Sequence, residues 1–408
     1  MNNCNTPPLR ILFVVSKFPI LSEIFIFNQV KELVDAGCDV EILPLRGLHF
    51  SKDSYSQLEE LNLFNRVIFP FDTKKNLIIL FNHSFKNFFI LLRMFKKINF
   101  YKLLSSSTNF FLFKNDKYDI IHCQFGHFSD EVINLREKGF VSGKIVVHFR
   151  GHDINSYVQK NGKDVYKKTF EKGDYFLANC DFFKEKAICL GCERSKISTF
   201  GTILDQDKFF YSKTVYPRDG KYKLITVGRL VEKKGVEYAI RAIKKIIKIY
   251  PNLEYTIVGD GELKKYLEDL TLDLGLGDVV KFVGWKSQTE VLYFLKKSHI
   301  FISPNKTASD GNMDAPTNTI KEAMSCGVFV ISSNYPAIFE LIKDNINGFL
   351  FNQNDLDDLV NKVLHVMNNF STLDHVSKKA REDVVSKYDK NKLNNELISL
   401  YKNILKNS

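Results

Sequence analysis

The sequence has no run of eighteen or more apolar residues, so we expect no membrane-spanning helix. Its first ten residues, MNNCNTPPLR, lack the basic start and apolar core of a signal peptide, and we therefore expect a cytoplasmic protein. With 44% hydrophobic and 26% charged residues, the composition is typical of a soluble globular protein and excludes disordered and fibrous classes.

Disulfide and zinc frameworks are also missing. The seven cysteines are an odd number, which fits a reducing compartment. Cys189 and Cys192 form one C-x-x-C motif, but no second ligand pair lies at the spacing of a structural zinc site. We interpret these cysteines as ordinary thiols.

The net charge of +11 lies largely in residues 66–117, which hold ten Lys/Arg against two Asp. No helix-turn-helix, zinc-finger or RNA-binding signature accompanies this excess, so we expect no nucleic-acid partner. Segment 74–104 alternates basic clusters with Phe, Leu and Ile, which fits an amphipathic segment resting on an anionic membrane. A pair of core helices with solvated lysines is the alternative, and both interpretations stay open.

Two series of alternating strand and helix patterns fill a chain long enough for two domains. The first series places strands at 10–16, 39–45, 118–123, 144–149, 174–179 and 196–200, with a helix from Ser22. The second places strands at 222–228, 255–259, 279–284, 300–304 and 328–333, with helices at 235–250, 262–274 and 289–297. Such alternation predicts an α/β protein of two doubly wound parallel sheets, with a ligand crevice at the carboxyl ends of the strands.

The segment VGRLVEKKG, residues 227–235, follows a strand of the second series. Gly228 ends the strand, and Arg229 and Lys234 lie five positions apart before a helix. Two cations beside the free N–H groups of a helix start suit a diphosphate, although two solvated surface charges are the alternative. The glycines of VGDGE, residues 258–262, allow a close backbone approach or a plain turn.

The segment DAPTNTIKEAMSCG, residues 314–327, sets Asp314 seven positions before Glu322. A helix beginning near Thr317 or Asn318, either of which can cap it, would offer N–H groups to a phosphate. Glu322, one turn in, could accept two hydrogen bonds from a ribose diol, and Asp314 could bind a second sugar. An exposed loop leading into a solvated helix is the alternative.

Four of the nine histidines lie in HCQFGH, residues 122–127, and VHFRGHD, residues 147–153, after neighbouring strands. They show no i, i+4 pair on one helix, which disfavours zinc. Acceptor binding or acid–base work fits better.

Together these segments resemble the retaining glycosyltransferases of family 4, which have the GT-B fold of two Rossmann-like domains facing across a cleft. SKFPILSEIFIFNQVKELVDAGCDVEIL is similar to the start of the exopolysaccharide and lipopolysaccharide enzymes of that family. VGRLVEKKGVEYAI resembles their diphosphate-binding segment, DGNMDAPTNTIKEAMSCGVFVIS their E-x7-E segment, and GTILDQDKF their interdomain hinge. The order and spacing of the four segments cover nearly the whole chain.

The resemblance implies donor-side roles for individual residues. Arg229 and Lys234 would hold the donor diphosphate and stabilise the charge that builds on the leaving group. Glu322 would bind the nucleotide ribose, and Asp314 would contact hydroxyls of the transferred sugar. The remaining implied donor contacts are backbone amides at Asn318 and Thr319 for the phosphates and the strand end at Val283 and Gly284 for the base.

Two departures from the family pattern affect the sugar and acceptor sides. Asp314 stands where the family usually has glutamate, in a DAPTN segment that also differs from the common pattern. Arg150 stands where many relatives have histidine; arginine cannot act as a base at neutral pH, but it could contact a phosphate-bearing acceptor. His152 and Asp153 match the family and are the acceptor-side candidates.

The implied organisation is an acceptor domain at 1–203, a donor domain at 204–389, and a C-terminal helix near 390–408 that packs back on the first domain. The implied activity is sugar transfer, with retention of configuration and no metal or other cofactor, from a nucleoside diphosphate donor to a lipid-linked or glycan acceptor. The product would be a cell-surface polysaccharide such as lipopolysaccharide, O-antigen or exopolysaccharide, made at the inner face of a bacterial membrane. A nucleotide-sugar epimerase and a catalytically degenerate binding or scaffold subunit are the alternatives.

Overall fold

The computed structural model describes residues 7–20, 23–47, 66–68, 116–217 and 219–406. Within these ranges the chain forms two six-stranded sheets, and every strand pairing in both is parallel. The predicted α/β architecture with two tandem Rossmann-like sheets is therefore confirmed. The basic segment 74–104 lies outside the described residues.

The first sheet follows the predicted strands closely. Its strands are β1 (Arg10–Val15), β2 (Asp39–Pro44), β3 (Asp116–Cys123), β4 (Val141–Phe149), β5 (Tyr175–Ala178) and β6 (Ile197–Thr199). They are ordered β2-β1-β3-β4-β5-β6, so the order reverses between β1 and β3. Residues 11–15 are at most 1% exposed, as expected for a strand with both faces covered.

The second sheet also has six parallel strands, but in a different order. Its strands are β7 (Tyr222–Val227), β8 (Leu253–Val258), β9 (Val280–Phe282), β10 (Ile300–Ser303), β11 (Phe329–Ser333) and β12 (Phe349–Phe351). The order β12-β11-β10-β7-β8-β9 has its reversal between β7 and β10, where open sheets of this kind bind ligands. Strand β12 was not predicted, because three residues are too few to establish a period of two.

Helices follow most strands. They are α1 (Ile24–Asp35), α2 (Ser129–Glu137), α3 (Ser156–Asn161), α4 (Lys167–Lys172), α5 (Asp181–Cys189), α6 (Val236–Ile246), α7 (Lys264–Asp273), α8 (Gln288–Lys297), α9 (Asn318–Cys326), α10 (Leu356–Asn368), α11 (Asp374–Tyr388) and α12 (Lys390–Lys406). Helix α6 ends four residues before the predicted position, because a turn ahead of Pro251 replaces its last turn.

The C-terminal helix α12 contacts α1 of the first domain. The side-chain amide of Asn394 donates to the carbonyl of Glu32 at 3.0 Å. The hydroxyl of Tyr401 forms a 2.6 Å hydrogen bond with Nδ1 of His122, on the neighbouring strand β3. The chain thus crosses to the second domain near Leu204 and back near Asp389, where the two crossings form a parallel β-bridge.

Two of the four histidines noted in the sequence belong to the core of the first domain. His122 and His148 are 0% exposed, and their rings stack at 5.6 Å between centroids. Burial lowers the pKa of both well below the usual range, so both are neutral near pH 7. The interpretation that these two serve acceptor binding or acid–base work is therefore wrong, because neither reaches solvent.

The two domains are also joined at the start of α5. The carboxylate of Glu340, from the second domain, accepts hydrogen bonds of 2.9 Å from the backbone N–H groups of both Asp181 and Phe182. A carboxylate at a helix N-terminus satisfies free N–H groups and complements the helix dipole. The second domain therefore supplies the cap of a helix in the first.

We predict that Tyr401→Phe lowers the free energy of unfolding by about 1–3 kcal/mol, because it leaves Nδ1 of buried His122 without its partner. Tyr293→Phe is the matched control: Tyr293 is 54% exposed, and its loss should change stability by no more than about 0.5 kcal/mol. Urea denaturation followed by circular dichroism measures both. Equal effects of the two substitutions would show that the contact with α12 contributes nothing specific.

Candidate active site

A cleft of about 590 Å³ lies between the two domains at the carboxyl ends of their strands. The second domain contributes most of its walls, through the loops after β7, β8, β9 and β10. The first domain contributes Ile20, Ile24, Phe25, Arg150 and Asn179, and Thr202 comes from the crossing between domains. The volume falls within the range that encloses a ligand of nucleotide-sugar size.

Two glycines let the loops after β7 and β8 approach each other closely. Gly259 has a φ of +143°, and a Cβ added there would lie 1.8 Å from the carbonyl oxygen of Gly228. The backbone N–H of Gly228 donates to Val258 at 3.0 Å. Only glycine fits such an approach, so the VGDGE segment is a close backbone contact at the cleft.

Arg229 and Lys234 both line the cleft, as the sequence predicted. Arg229 is exposed, and its guanidinium makes no hydrogen bond or ion pair with another described residue. Lys234 closes a short 3-10 turn (Glu232–Lys234), and Gly235 follows in the left-handed region with a φ of +59°. A Cβ at Gly235 would lie 1.9 Å from the carbonyl oxygen of Pro304, so glycine is required there as well.

The carboxylate of Asp314 is more heavily engaged than the sequence suggested. Lys233 Nζ lies 2.8 Å from Oδ1, and Lys234 Nζ lies 2.7 Å from Oδ2. The side-chain amide of Asn305 also donates to Oδ2 at 2.8 Å. Burial alone would raise the pKa of Asp314, but the charges of Lys234 and Lys233 outweigh it and hold that pKa well below its usual range.

Helix α9 starts at the cleft without a side-chain cap. Thr317 occupies the N-cap position in an extended conformation, and its side chain accepts no hydrogen bond from the helix backbone. Asn318 does not cap the helix either, because its side-chain carbonyl accepts from the hydroxyl of Thr202. The prediction that one of these two residues caps the helix is therefore wrong. Asn318 and Thr319 line the cleft, where the first N–H groups have no side-chain acceptor.

Glu322 lies one turn into α9 and lines the cleft while being only 6% exposed. Burial raises the pKa of Glu322 to about 7, against the opposing charge of Lys208 and a hydrogen bond with Gln288. Its carboxyl group therefore changes charge close to neutral pH.

The predicted base-contacting residues sit at the edge of this site. Val283 and Gly284 do not themselves line the cleft, and the carbonyl of Gly284 accepts from the N–H of Gly259 at 2.9 Å. Trp285 and Lys286, directly after them, do line it. Trp285 is the only tryptophan of the chain and is 37% exposed, and that single large aromatic after a strand end was the signal that sequence reasoning passed over.

Of the acceptor-side candidates, Arg150 alone lines the cleft. It is 8% exposed, and its guanidinium donates to Gln124, to Asn179 at 3.2 Å and to Gln29 at 3.1 Å. It also stacks over the ring of Phe25 at 4.6 Å. No carboxylate within the described ranges forms a salt bridge with it, and burial lowers its pKa to about 9, which still leaves it charged.

Asp153 and His152 have different surroundings. Asp153 is 0% exposed, and its two oxygens accept from the backbone N–H groups of Gly126, Arg150 and Gly151 at 2.8–2.9 Å. It therefore organises the loop that carries Arg150 and has no free oxygen facing an acceptor. His152 is exposed and does not line the cleft, so its acceptor-side role stays a prediction.

Glu23 is an acid that the sequence reasoning missed. It lies at the N-terminus of α1, beside the cleft-lining Ile24 and Phe25, and it is half-buried. Burial raises the pKa of Glu23 to about 7, and the charges of Arg150 and Arg229 act against that rise. Its carboxyl group thus lies near one arginine of each domain.

In the part of the chain that the structure describes, no group of three or more His, Cys, Asp or Glu side chains could hold a metal ion. Cys189 and Cys192 are free, the first exposed and the second buried. The expectation that no metal is needed stays a prediction.

Known proteins bear on this geometry. Residues 207–383 match the family described as glycosyl transferases group 1. The amylovoran biosynthesis glycosyltransferase AmsK of Erwinia amylovora is 30% identical over 374 residues, which cover 86% of this chain and 89% of that protein. The chain belongs to the group 1 glycosyl transferases. WcaL of Escherichia coli strain K12 is 29% identical to this glycosyltransferase over 411 residues, which cover 96% of this chain and 99% of WcaL.

Solved structures agree with this glycosyltransferase in fold. The crystal structure of Anabaena Alr3699/HepE in complex with UDP-glucose superposes with a TM-score of 0.71 at 16% identity, covering 97% of this chain and all of that one. At this identity the likeness concerns the fold alone. The predicted GT-B architecture and the predicted transferase family are both confirmed.

Proposed function

We propose that this glycosyltransferase moves a sugar from a nucleoside diphosphate donor to a growing glycan, with retention of the anomeric configuration. The observation that carries the proposal is the convergence of Arg229, Lys234, the uncapped start of α9 and Glu322 on one cleft. These groups match a diphosphate and a ribose, and they lie at the switch point of the second sheet, where such ligands bind.

The diphosphate would lie between the two cations and the start of α9. Arg229 makes no bond or ion pair with the described residues, so its donors are available for bidentate contact with phosphate oxygens. The N–H groups of Asn318 and Thr319 add a positive helix end. These donors would stabilise the charge that develops on the leaving diphosphate, so that no metal is required for that task.

The rest of the donor would extend to both sides of the diphosphate. Glu322 in its ionised form can accept two hydrogen bonds from a ribose diol. The base would lie near the strand end at Val283 and Gly284, with the Trp285 ring beside it. Asp314 would accept hydrogen bonds from hydroxyl groups of the transferred sugar.

The acceptor would approach from the first domain, past Arg150 and Glu23. The amide side chains of Gln124, Asn179 and Gln29 accept hydrogen bonds from Arg150, and its guanidinium stacks on the ring of Phe25. Arg150 therefore presents a fixed positive charge to the cleft. A phosphate of a lipid-linked acceptor suits that charge. Glu23, which titrates near neutral pH, can accept a hydroxyl proton or a hydrogen bond from the acceptor.

The product we propose is an extracellular polysaccharide. AmsK, an amylovoran biosynthesis glycosyltransferase, is similar to this chain over most of both lengths and supports that proposal. No helix within the described ranges has the length and apolarity to cross a bilayer. A cytoplasmic enzyme that works at the inner face of a bacterial membrane, with segment 74–104 against anionic lipid, remains our expectation.

Nucleotide binding can be read from Trp285, because the chain has no other tryptophan and this one lines the cleft. We expect UDP-, GDP- or ADP-sugars to change its fluorescence selectively. Arg229→Met should weaken binding of the selected donor about 10–100-fold, because this is the affinity lost with one charge-assisted phosphate contact. Arg241→Met is the control, since Arg241 pairs with Glu237 on the outer face of α6 and should leave binding unchanged.

The same donor, incubated with acceptor, should yield a product whose anomeric configuration by NMR equals that of the donor sugar. An inverted product contradicts retention. Free epimerised sugar without transfer would identify an epimerase. Wild-type protein that binds none of the donors would identify a degenerate subunit.

Donor affinity should depend on pH through Glu322. Its pKa of about 7 means that it loses its charge as the pH falls from 8 to 6, while the diphosphate diester of a nucleotide sugar keeps its charge. Because the ribose contact needs the carboxylate, affinity should fall as the pH drops through 7 and level off near the affinity of Glu322→Gln. Glu322→Gln should bind more weakly at pH 8 and show a flat profile; a profile that keeps its slope in this variant would assign the titration to another group.

Arg150 should affect the acceptor and leave the donor alone. We expect Arg150→Gln to raise the KM for a phosphate-bearing acceptor about 10-fold or more, the loss of one charge-assisted contact, with the donor Kd from Trp285 fluorescence within about twofold of wild type. Arg194→Gln, at an exposed ion pair with Glu185, is the control. If Arg150→Gln raises the donor Kd as much as the acceptor KM, Arg150 contacts the donor diphosphate and not the acceptor.

A further inference from the structure

Lys233 is a buried lysine beside the cleft to which neither the sequence nor the family resemblance assigns a role. It is 8% exposed, far less than lysine usually is, and it directly precedes Lys234. Its ammonium group lies 2.8 Å from Oδ1 of Asp314 and 3.4 Å from the side-chain oxygen of Asn312. Its carbonyl accepts from the N–H of Lys306 at 2.9 Å, which fixes the backbone of this turn.

Asp314 and Lys234 are each needed for two tasks in the proposed reaction. Lys234 bonds Asp314 at 2.7 Å and is also the lysine proposed for the donor diphosphate. Asp314 has Oδ2 bonded by Lys234 and Asn305, and the same oxygen would be needed by a sugar hydroxyl. The three N–H donors of Lys234 would be shared between Asp314 and a donor diphosphate, so the two anions would compete for its charge.

We propose that Lys233 is a positioning residue that holds Asp314 through Oδ1 while Lys234 turns from Oδ2 to the donor diphosphate, so that Oδ2 becomes free for a hydroxyl of the transferred sugar. This inference rests on the proposed function. It assigns the two adjacent lysines different tasks: Lys234 exchanges partners, and Lys233 keeps its partner.

The physical reason lies in the burial of the carboxylate. Asp314 has a side-chain exposure of 11%, and removing the single partner of a buried charge is strongly unfavourable. With Lys233 in place, the departure of Lys234 leaves a compensated ion pair and the Asn305 hydrogen bond. Without Lys233, Asp314 would retain Lys234, and the diphosphate would bind less well.

A double-mutant cycle tests this coupling, with UDP or the diphosphate of the selected donor as probe and Trp285 fluorescence as readout. We expect Lys233→Met to weaken binding about 10-fold in the wild-type background and no more than about twofold in an Asp314→Asn background. Asp314→Asn alone should bind the probe at least as tightly as wild type, because Lys234 is then released. Lys233→Gln provides a second uncharged side chain if methionine impairs folding.

Two further measurements separate positioning from a general structural effect. Lys233→Arg should keep probe affinity and turnover near wild type, because arginine retains the ion pair with Asp314. Lys233→Met should weaken donor binding and leave the acceptor KM unchanged, because its effect passes through Asp314 and Lys234. Lys306→Met, which removes a half-exposed lysine paired with Glu232, should change neither quantity.

The outcomes differ between the two proposals. If Lys233→Met weakens binding equally in both backgrounds, Lys233 acts on the diphosphate directly and the inference is overturned. An unchanged probe affinity in Lys233→Met would overturn it too. Wild-type protein that binds no nucleoside diphosphate would instead refute the proposed function, and this inference with it.

Discussion

The carboxylate of Asp314 joins the two loops on which the second-domain side of the cleft depends. Lys233 and Lys234 lie in the loop after β7, and Asn305 lies in the loop after β10. These strands flank the switch point, where consecutive helices leave toward opposite faces of the sheet and a crevice opens between the loops. One buried acid bonded from both sides therefore fixes the width of that crevice. Arg229 precedes the two lysines on the same loop, and α9 begins four residues after Asp314, so both take their places from this cluster.

Direct contact decides which carboxylates of the cleft stay charged. Asp314, Glu322 and Glu23 are all withdrawn from water, and burial pushes the pKa of each upward. For Asp314, two ammonium groups within 2.8 Å reverse that effect. For the two glutamates the nearest cations act without an ion pair, and the pKa of each rises to about 7. The cleft and its edge thus combine one acid that stays charged with two that change charge near neutral pH.

Much of this arrangement could be predicted because it is local in the sequence. Arg229 and Lys234 follow β7, whose apolar run is clear in the sequence. Glu322 lies one turn into α9, the helix that follows β10. Parallel strands bring their carboxyl ends to the same edge, so placing these residues in one crevice needed only the topology.

The features that escaped prediction depend on the direction of side chains and on distant contacts. The sequence EKKG, residues 232–235, does not show that Lys233 binds Oδ1 of Asp314 and that Lys234 binds Oδ2. His122 looked like a site residue until its partner Tyr401 was found 279 positions away. Asp153 matched a functional pattern, but its oxygens are consumed by backbone N–H groups. In each case the residue type was correct for chemistry, and only the packing shows whether it faces the cleft.

Helix α9 links the cleft to the junction between the domains. Lys321 and Glu322 are consecutive and therefore project from the helix about 100° apart, so one helix serves two surroundings. Lys321 donates to the hydroxyl and carbonyl of Thr202 on the first crossing, at 2.8 and 3.1 Å, and lies 4.0 Å from the ring centroid of Tyr388 before the second. Glu322 faces the cleft. The wall of the cleft and the crossings between the domains are therefore held by two adjacent residues of one helix.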